Sequence, residues 1–169
     1  MTQTTSSRVR YAADGRSRTL PEEEMLLASM RFHEVAHESV QAFLKEYDIT
    51  GQQLNVLRIL YVRGEPVPTG FIAERLISRV PDVPRLIDRL ESRGLVERHT
   101  CVEDRRRTLV RLTKAGEKLV TRVDGPLLAH IEGLFAHLSQ KKVALLTELL
   151  HEARVAASQA LAGRSTAER

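Results

Sequence analysis

Near residue 95 the apolar pattern of this chain changes period, and few small folds accommodate the change. From residue 49 to residue 94 apolar positions recur at three- and four-residue spacing in three short runs. Thr50 and Gln53 form a capping box, with Ile49 and Leu54 placed as a hydrophobic staple. The helix they open is expected to reach about Val62, with Leu54, Leu57, Leu60 and Tyr61 inward and Gly64 as its stop. Pro66 and Pro68 force an extended connection, after which Thr69 is expected to cap a short helix with Ile72, Ala73 and Leu76 inward. A third helix is expected over about 81–93, closed by Gly94. Beyond it, Leu95 to Thr100 and Arg107 to Leu112 alternate, which predicts two strands joined through the charged segment 101–106.

Three short helices followed by a two-stranded hairpin is the element order of a winged helix-turn-helix, whose third helix enters a DNA major groove while the hairpin reaches a minor groove. The 81–93 segment fits that duty. Val83, Leu86, Ile87 and Leu90 cover one face, whereas Asp82, Arg85 and Arg89, at i, i+3 and i+7, project from another. Arg79 lies just ahead of them. The competing reading is a solvated surface in which these arginines pair with Asp88 and Glu91. Charge placement bears on the choice. The whole chain carries only +4, but residues 75–111 hold ten arginines, no lysine and six acids, a segmental +4, while residues 19–74 hold four basic and nine acidic groups, or −5. A guanidinium offers a planar fork of donors suited to phosphates and guanine edges.

Long apolar stripes flank this unit. Leu26, Leu27, Met30, Ala36, Val40, Phe43, Leu44 and Tyr47 follow a capping box at Thr19 and Glu22, with Pro21 tolerated in the first turn. Leu119, Val120, Val123, Leu127, Ile131, Leu134 and Leu138 follow Thr113 as a cap, and Gly125-Pro126 is expected to kink that helix. Val143, Leu146, Leu150, Ala153, Ala157 and Leu161 follow Ser139 and are expected to face inward. These stripes exceed what one winged-helix core can cover, so residues 19–47 and 114–163 are read as a helical dimerisation region around a DNA-binding domain at 48–113. Residues 1–18, with four arginines and no apolar period, read as a flexible basic arm. The fold class expected is mainly α with a small β-hairpin wing. No run approaches the ~20 apolar residues of a membrane span, and no secretory signal is recognisable, which points to a cytoplasmic protein. The single Cys101 excludes an internal disulfide, and 4% aromatics with no Trp exclude aromatic-dense binding modules. Cys101 reads as a surface thiol, with a redox role as the alternative.

The run Arg85-Leu86-Ile87-Asp88-Arg89-Leu90-Glu91-Ser92-Arg93-Gly94-Leu95-Val96-Glu97-Arg98, followed by Asp104-Arg105-Arg106 and Leu112-Thr113, resembles the MarR family of bacterial transcription regulators. The Asp-x-Arg with Leu-Thr five residues on matches that family's wing signature, and the resemblance spans about residues 20–160. It implies a homodimer that binds double-stranded DNA at a pseudo-palindromic site as a repressor, needs no cofactor and is not an enzyme. By carry-over, Arg106 enters the minor groove, Asp104 orients it, and Arg105 and Arg107 face phosphates. Such a role agrees with the enhanced negative potential of a narrow minor groove. Such proteins often bind small phenolic or other aromatic anions between the two regions, for which Arg31, His37, Arg58 and Tyr61 are the candidates here. This sequence departs from the family at Val80-Pro81-Asp82-Val83-Pro84, where small hydroxyl residues are common. Pro84 lacks an N–H, so the helix is expected to start late or with a distorted first turn, and Arg85 and Arg89 carry more weight than Asp82.

One motif points elsewhere. His33-Glu34-Val35-Ala36-His37 has the H-E-x-x-H spacing that places two imidazoles beside a catalytic Glu in zinc enzymes. The metzincin continuation fails at Val40 and Phe43. Helix-surface histidines are the reading adopted. A zinc sensor or metalloenzyme using His33, Glu34 and His37 is the alternative, and a protein-binding winged helix is a third.

Overall fold

The computed structural model describes residues 20–77, 82–100 and 108–167, with side chains as far as residue 163. In chain order the elements are α1 (Pro21–Lys45), α2 (Gly51–Arg63), β1 (Val67–Pro68), α3 (Thr69–Arg75), α4 (Val83–Ser92), β2 (Val96–Thr100), β3 (Thr108–Leu112), α5 (Lys114–Leu134) and α6 (Gln140–Ala167). The mainly helical fold class and the order of the winged unit are as expected. Arg79, Pro81, Cys101, Asp104, Arg105, Arg106, Arg107 and the arm lie outside the described residues.

Local chemistry sets most boundaries. The Thr50 hydroxyl accepts from the Gln53 N–H at 3.2 Å, and the Gln53 side chain accepts from the Thr50 N–H at 3.0 Å, which completes the capping box of α2. Thr113 caps α5 by accepting from the Gly116 N–H at 3.1 Å. Gly64 and Gly94 end α2 and α4 at φ of 70° and 66°, a region that costs an L side chain about 1 kcal/mol. Two expected caps are corrected. Helix α1 begins at Pro21 with Leu20 as its N-cap and no side-chain cap bond, and α3 is preceded by Pro68, with Thr69 already inside the helix. In both places a fixed proline φ near the helix start does the work that a hydroxyl was expected to do. Helix α5 continues through Pro126.

The expected hairpin is part of a three-stranded antiparallel sheet in the order β1-β3-β2. Val67 pairs with Val110, and Val110 pairs with Arg98 on its other side. Pro68 is tolerated because β1 is an edge strand, where a missing N–H leaves no ladder bond broken.

The core lies between α2, α3, α4, the sheet and the first half of α5. Val56, Leu57, Ile72, Ile87, Leu90, Val110, Val120 and Val123 are fully buried there, each contributing about 1.5–3 kcal/mol of apolar burial. Tyr61 and Ala73, expected inward, are exposed; Val56 takes an inner place on α2 instead. Leu26 and Met30 of α1, and Leu146, Leu150 and Leu161 of α6, are also exposed rather than inward. Their stripes have the helical period, but among the described residues they are left largely uncovered. At the other end of α5 the fit is close. A Cβ at Gly116 would lie 2.3 Å from the Leu95 carbonyl oxygen, the Thr113 N–H donates to that same oxygen at 3.1 Å, and the Thr113 hydroxyl donates to the Gly94 carbonyl at 2.7 Å.

Candidate nucleic-acid interface

Helix α4 divides into two faces along its sequence period. Val83, Leu86, Ile87 and Leu90 are buried, so Asp82, Pro84, Arg85, Asp88 and Arg89 are left on the outside. Asp82 is the N-cap, and its carboxylate accepts from the Arg85 N–H at 3.0 Å. That engagement commits one carboxylate oxygen of Asp82 to its own helix. Pro84 falls in the first turn of α4, where an N–H has no intrahelical acceptor. The helix is therefore regular from Val83, a late start without a broken turn.

The solvated-pair reading of the arginines is not what the structure holds. Asp88 and Glu91 are both taken by Arg98 of β2, at 2.6 Å and 2.5 Å. Among the described residues the guanidinium groups of Arg85 and Arg89 have no ion pair, and both side chains are exposed. Arg98 also donates to the Pro84 carbonyl at 3.2 Å, and its backbone N–H donates to Glu91 at 3.1 Å. Burial lowers the proton affinity of this guanidinium, but the hydrogen bonds with Asp88 and Glu91 outweigh it, leaving the pKa above the ordinary arginine value. Sequence reasoning passed over Arg98. Counting by two from buried Val96 puts Arg98 on the inward face of β2, where a cation needs partners. On the opposite face Glu97 bonds Arg111 across the strands at 2.9 Å and lies 3.2 Å from His99. The hydrogen bonds from His99 and Arg111 hold its carboxyl below the usual glutamate value.

The effector candidates separate. His37 and Arg58 line one groove of about 450 Å³ at the junction of α1, α2 and α5, together with His33, Asn55 and Ile131. Arg58 is held there by Asp124 of α5 at 2.7 Å. Tyr61 lines a different groove, beside Glu97 and Arg111, and Arg31 is exposed on α1 outside the junction groove. The rings of His33 and His37 stack at 5.5 Å, and among the described residues no three His, Cys, Asp or Glu side chains converge as metal ligands. Among those residues, no helix is long and apolar enough to cross a membrane.

A profile of the MarR family matches residues 49–108, the segment from the α2 cap to the first residue of β3. The crystal structure of a MarR transcription factor from Planctomyces limnophilus is 34% identical, covers 80% of this chain and 98% of its own, and superposes with a TM-score of 0.61. The S. aureus MepR–DNA complex is 27% identical, covers 78% and 96%, and gives 0.66. The homoprotocatechuate degradative operon repressor of Escherichia coli is 26% identical over 130 residues, 77% of this chain and 87% of the repressor. With a winged unit of matching element order, and a relative one-third identical over nearly its whole length, the chain belongs to the MarR family of winged helix-turn-helix transcription regulators.

Proposed function

We propose that this chain is a homodimeric repressor that binds a pseudo-palindromic duplex site and is released by a small aromatic or phenolic anion. The observation that carries the DNA-binding part is the outer face of α4. It presents Arg85 and Arg89 with no ion pair among the described residues, while the neighbouring acids are engaged by Arg98. A family relative bound to DNA and another that is an operon repressor support the same reading. Residues 48–113 form the DNA-binding domain. Arg85 and Arg89 read the major groove, Arg106, oriented by Asp104, reads the minor groove, and Arg79, Arg105 and Arg107 neutralise phosphates. Residues 19–47 and 114–163 form the dimerisation region, supported by the exposed apolar stripes of α1 and α6. A two-fold dimer sets its recognition helices about 34 Å apart, one turn of DNA.

Release follows if an effector binds a dimer whose α4 helices are wrongly spaced better than the DNA-competent one. The groove holding His37 and Arg58 is its proposed seat, because it joins the two regions and offers a cation beside apolar walls. The test is binding of the full chain to duplex from its own upstream region while salt is varied. Affinity should fall steeply with salt and exceed that for random duplex of equal length. Salt-indifferent binding, or no preference, refutes the proposal.

A further inference from the structure

We infer that Arg98 is a positioning residue that clamps the wing to α4, fixing the spacing between the major-groove and minor-groove readers; the inference rests on the DNA-binding reading above. One side chain on β2 spans two turns of α4. It reaches the Pro84 carbonyl at 3.2 Å, Asp88 at 2.6 Å and Glu91 at 2.5 Å. The Arg98 backbone N–H closes the set on the second Glu91 oxygen at 3.1 Å. Isolated surface ion pairs stabilise little, since two mobile side chains must be immobilised for one weak attraction. Here the Arg98 side chain is 27% exposed and its planar guanidinium is bounded by two carboxylates and a carbonyl, so its fork is held from several directions at once.

Two features separate a clamp from simple charge neutralisation. The bonds to the Pro84 carbonyl and from the Arg98 N–H tie main chain on one element to the other, which a mere counter-charge does not require. The partners also lie at both ends of α4, from its second residue to its ninth, so they fix the direction of β2 relative to the helix axis. β2 continues from Arg98 through His99 and Thr100, and its angle to α4 sets the direction in which the hairpin leaves the helix.

The experiment compares the wild type with Arg98→Met, Arg98→Lys, the double variant Asp88→Asn/Glu91→Gln and the triple variant with Arg98→Met, all as full chains on the upstream duplex. Arg98→Met should weaken sequence-preferring binding about tenfold or more. Its slope of log affinity against log salt should match wild type, because a clamp touches no phosphate. Asp88→Asn/Glu91→Gln should weaken binding to a similar extent, although it removes negative charge beside DNA and by charge alone would tighten it. The triple variant should be no weaker than Arg98→Met, and Arg98→Lys should recover only part of the loss, since one ammonium cannot span the partners. Thermal unfolding checks that each variant folds; if Arg98→Met does not, the carboxylate variant decides. In free protein, Glu91→Gln should speed hydrogen exchange at the Arg98 amide.

Wild-type affinity in Arg98→Met overturns the inference. So does tighter binding by Asp88→Asn/Glu91→Gln combined with a slope about 0.9 smaller in Arg98→Met, the signature of a plain phosphate contact. A wild-type chain with no preference for its upstream duplex instead overturns the DNA-binding reading itself, and the two failures are distinct.

Discussion

The winged unit and the terminal helices use the same aliphatic residues and reach opposite outcomes. In α4 every apolar residue of the inner face is buried within the chain: Ile87 and Leu90 are 0% exposed. In α6 the periodic leucines stay in solvent, with Leu161 at 68%, and the N-terminal half of α1 leaves Met25, Leu26 and Met30 more than half exposed. The difference teaches that one part of the sequence specifies a complete core and the other specifies half of one. A stripe of this length left uncovered among the described residues is costly for a monomer in water, whereas in the proposed dimer a second copy would supply the missing half by symmetry.

The sharpest way to break the comparison is to charge the uncovered stripe. Leu146→Glu/Leu150→Glu should raise the dissociation constant of the proposed dimer by at least about 100-fold, since an uncompensated buried charge costs roughly 3–5 kcal/mol. Sedimentation velocity reads the effect; a wild-type association state in this variant would mean that the stripe of α6 faces no partner. Next in size, Ile87→Ala should destabilise the fold by about 2–5 kcal/mol in denaturant unfolding. Leu161→Ala should cost less than about 0.5 kcal/mol in the dissociated chain. Equal losses at the two positions would erase the distinction between the regions. Arg85→Ala and Arg89→Ala should each weaken specific DNA binding by about 1–3 kcal/mol while moving stability by no more than about 0.5 kcal/mol. A stability loss without an affinity loss would make the outer face of α4 structural.

The smallest effect concerns the wing face away from α4. Hydrogen bonds from His99 and Arg111 lower the folded-state pKa of Glu97, so its contribution is present above the ordinary glutamate value of 4.5 and is lost as pH falls through the lowered one. Glu97→Gln should therefore flatten the acid limb of the stability profile slightly, by removing a small contribution that is present at neutral pH and already lost in acid. An acid limb identical to that of the wild type would mean that Glu97 carries no pH-linked stability.

How much was legible in the sequence follows the same division. Capping boxes and glycine stops are local chemistry, so α2, α4 and the start of α5 are readable within a residue or two from Thr50, Gln53, Gly64, Gly94 and Thr113. The third strand was not, because Val67-Pro68 has no alternation to display in two residues and exists only through pairing with Leu109 and Val110. Tyr61 and Ala73 were misplaced because a three- or four-residue period tolerates a shift of one helical position, and only packing chooses between neighbours. On the proposed DNA surface, the outward arginines of α4 follow from its period. Arg98 needed a different step, since its partners lie on another element and no single-helix spacing predicts them. The apolar stripes of α1 and α6 were legible as stripes, but their period says nothing about which molecule covers them.

The joint at Gly116 bears on how a signal travels. With no space for a Cβ at position 116 beside the Leu95 carbonyl, and Thr113 bonded to both Leu95 and Gly94, the first turn of α5 has little room to slide along the base of the wing. Axle and blade are keyed together there. In the proposed dimer, a tilt imposed on the long shaft of α5 would turn the sheet with it, so a displacement where the helices associate would reach the wing as a rotation of one body. Even a methyl at position 116 would force the two apart and loosen that key, uncoupling the wing from the shaft in the proposed response.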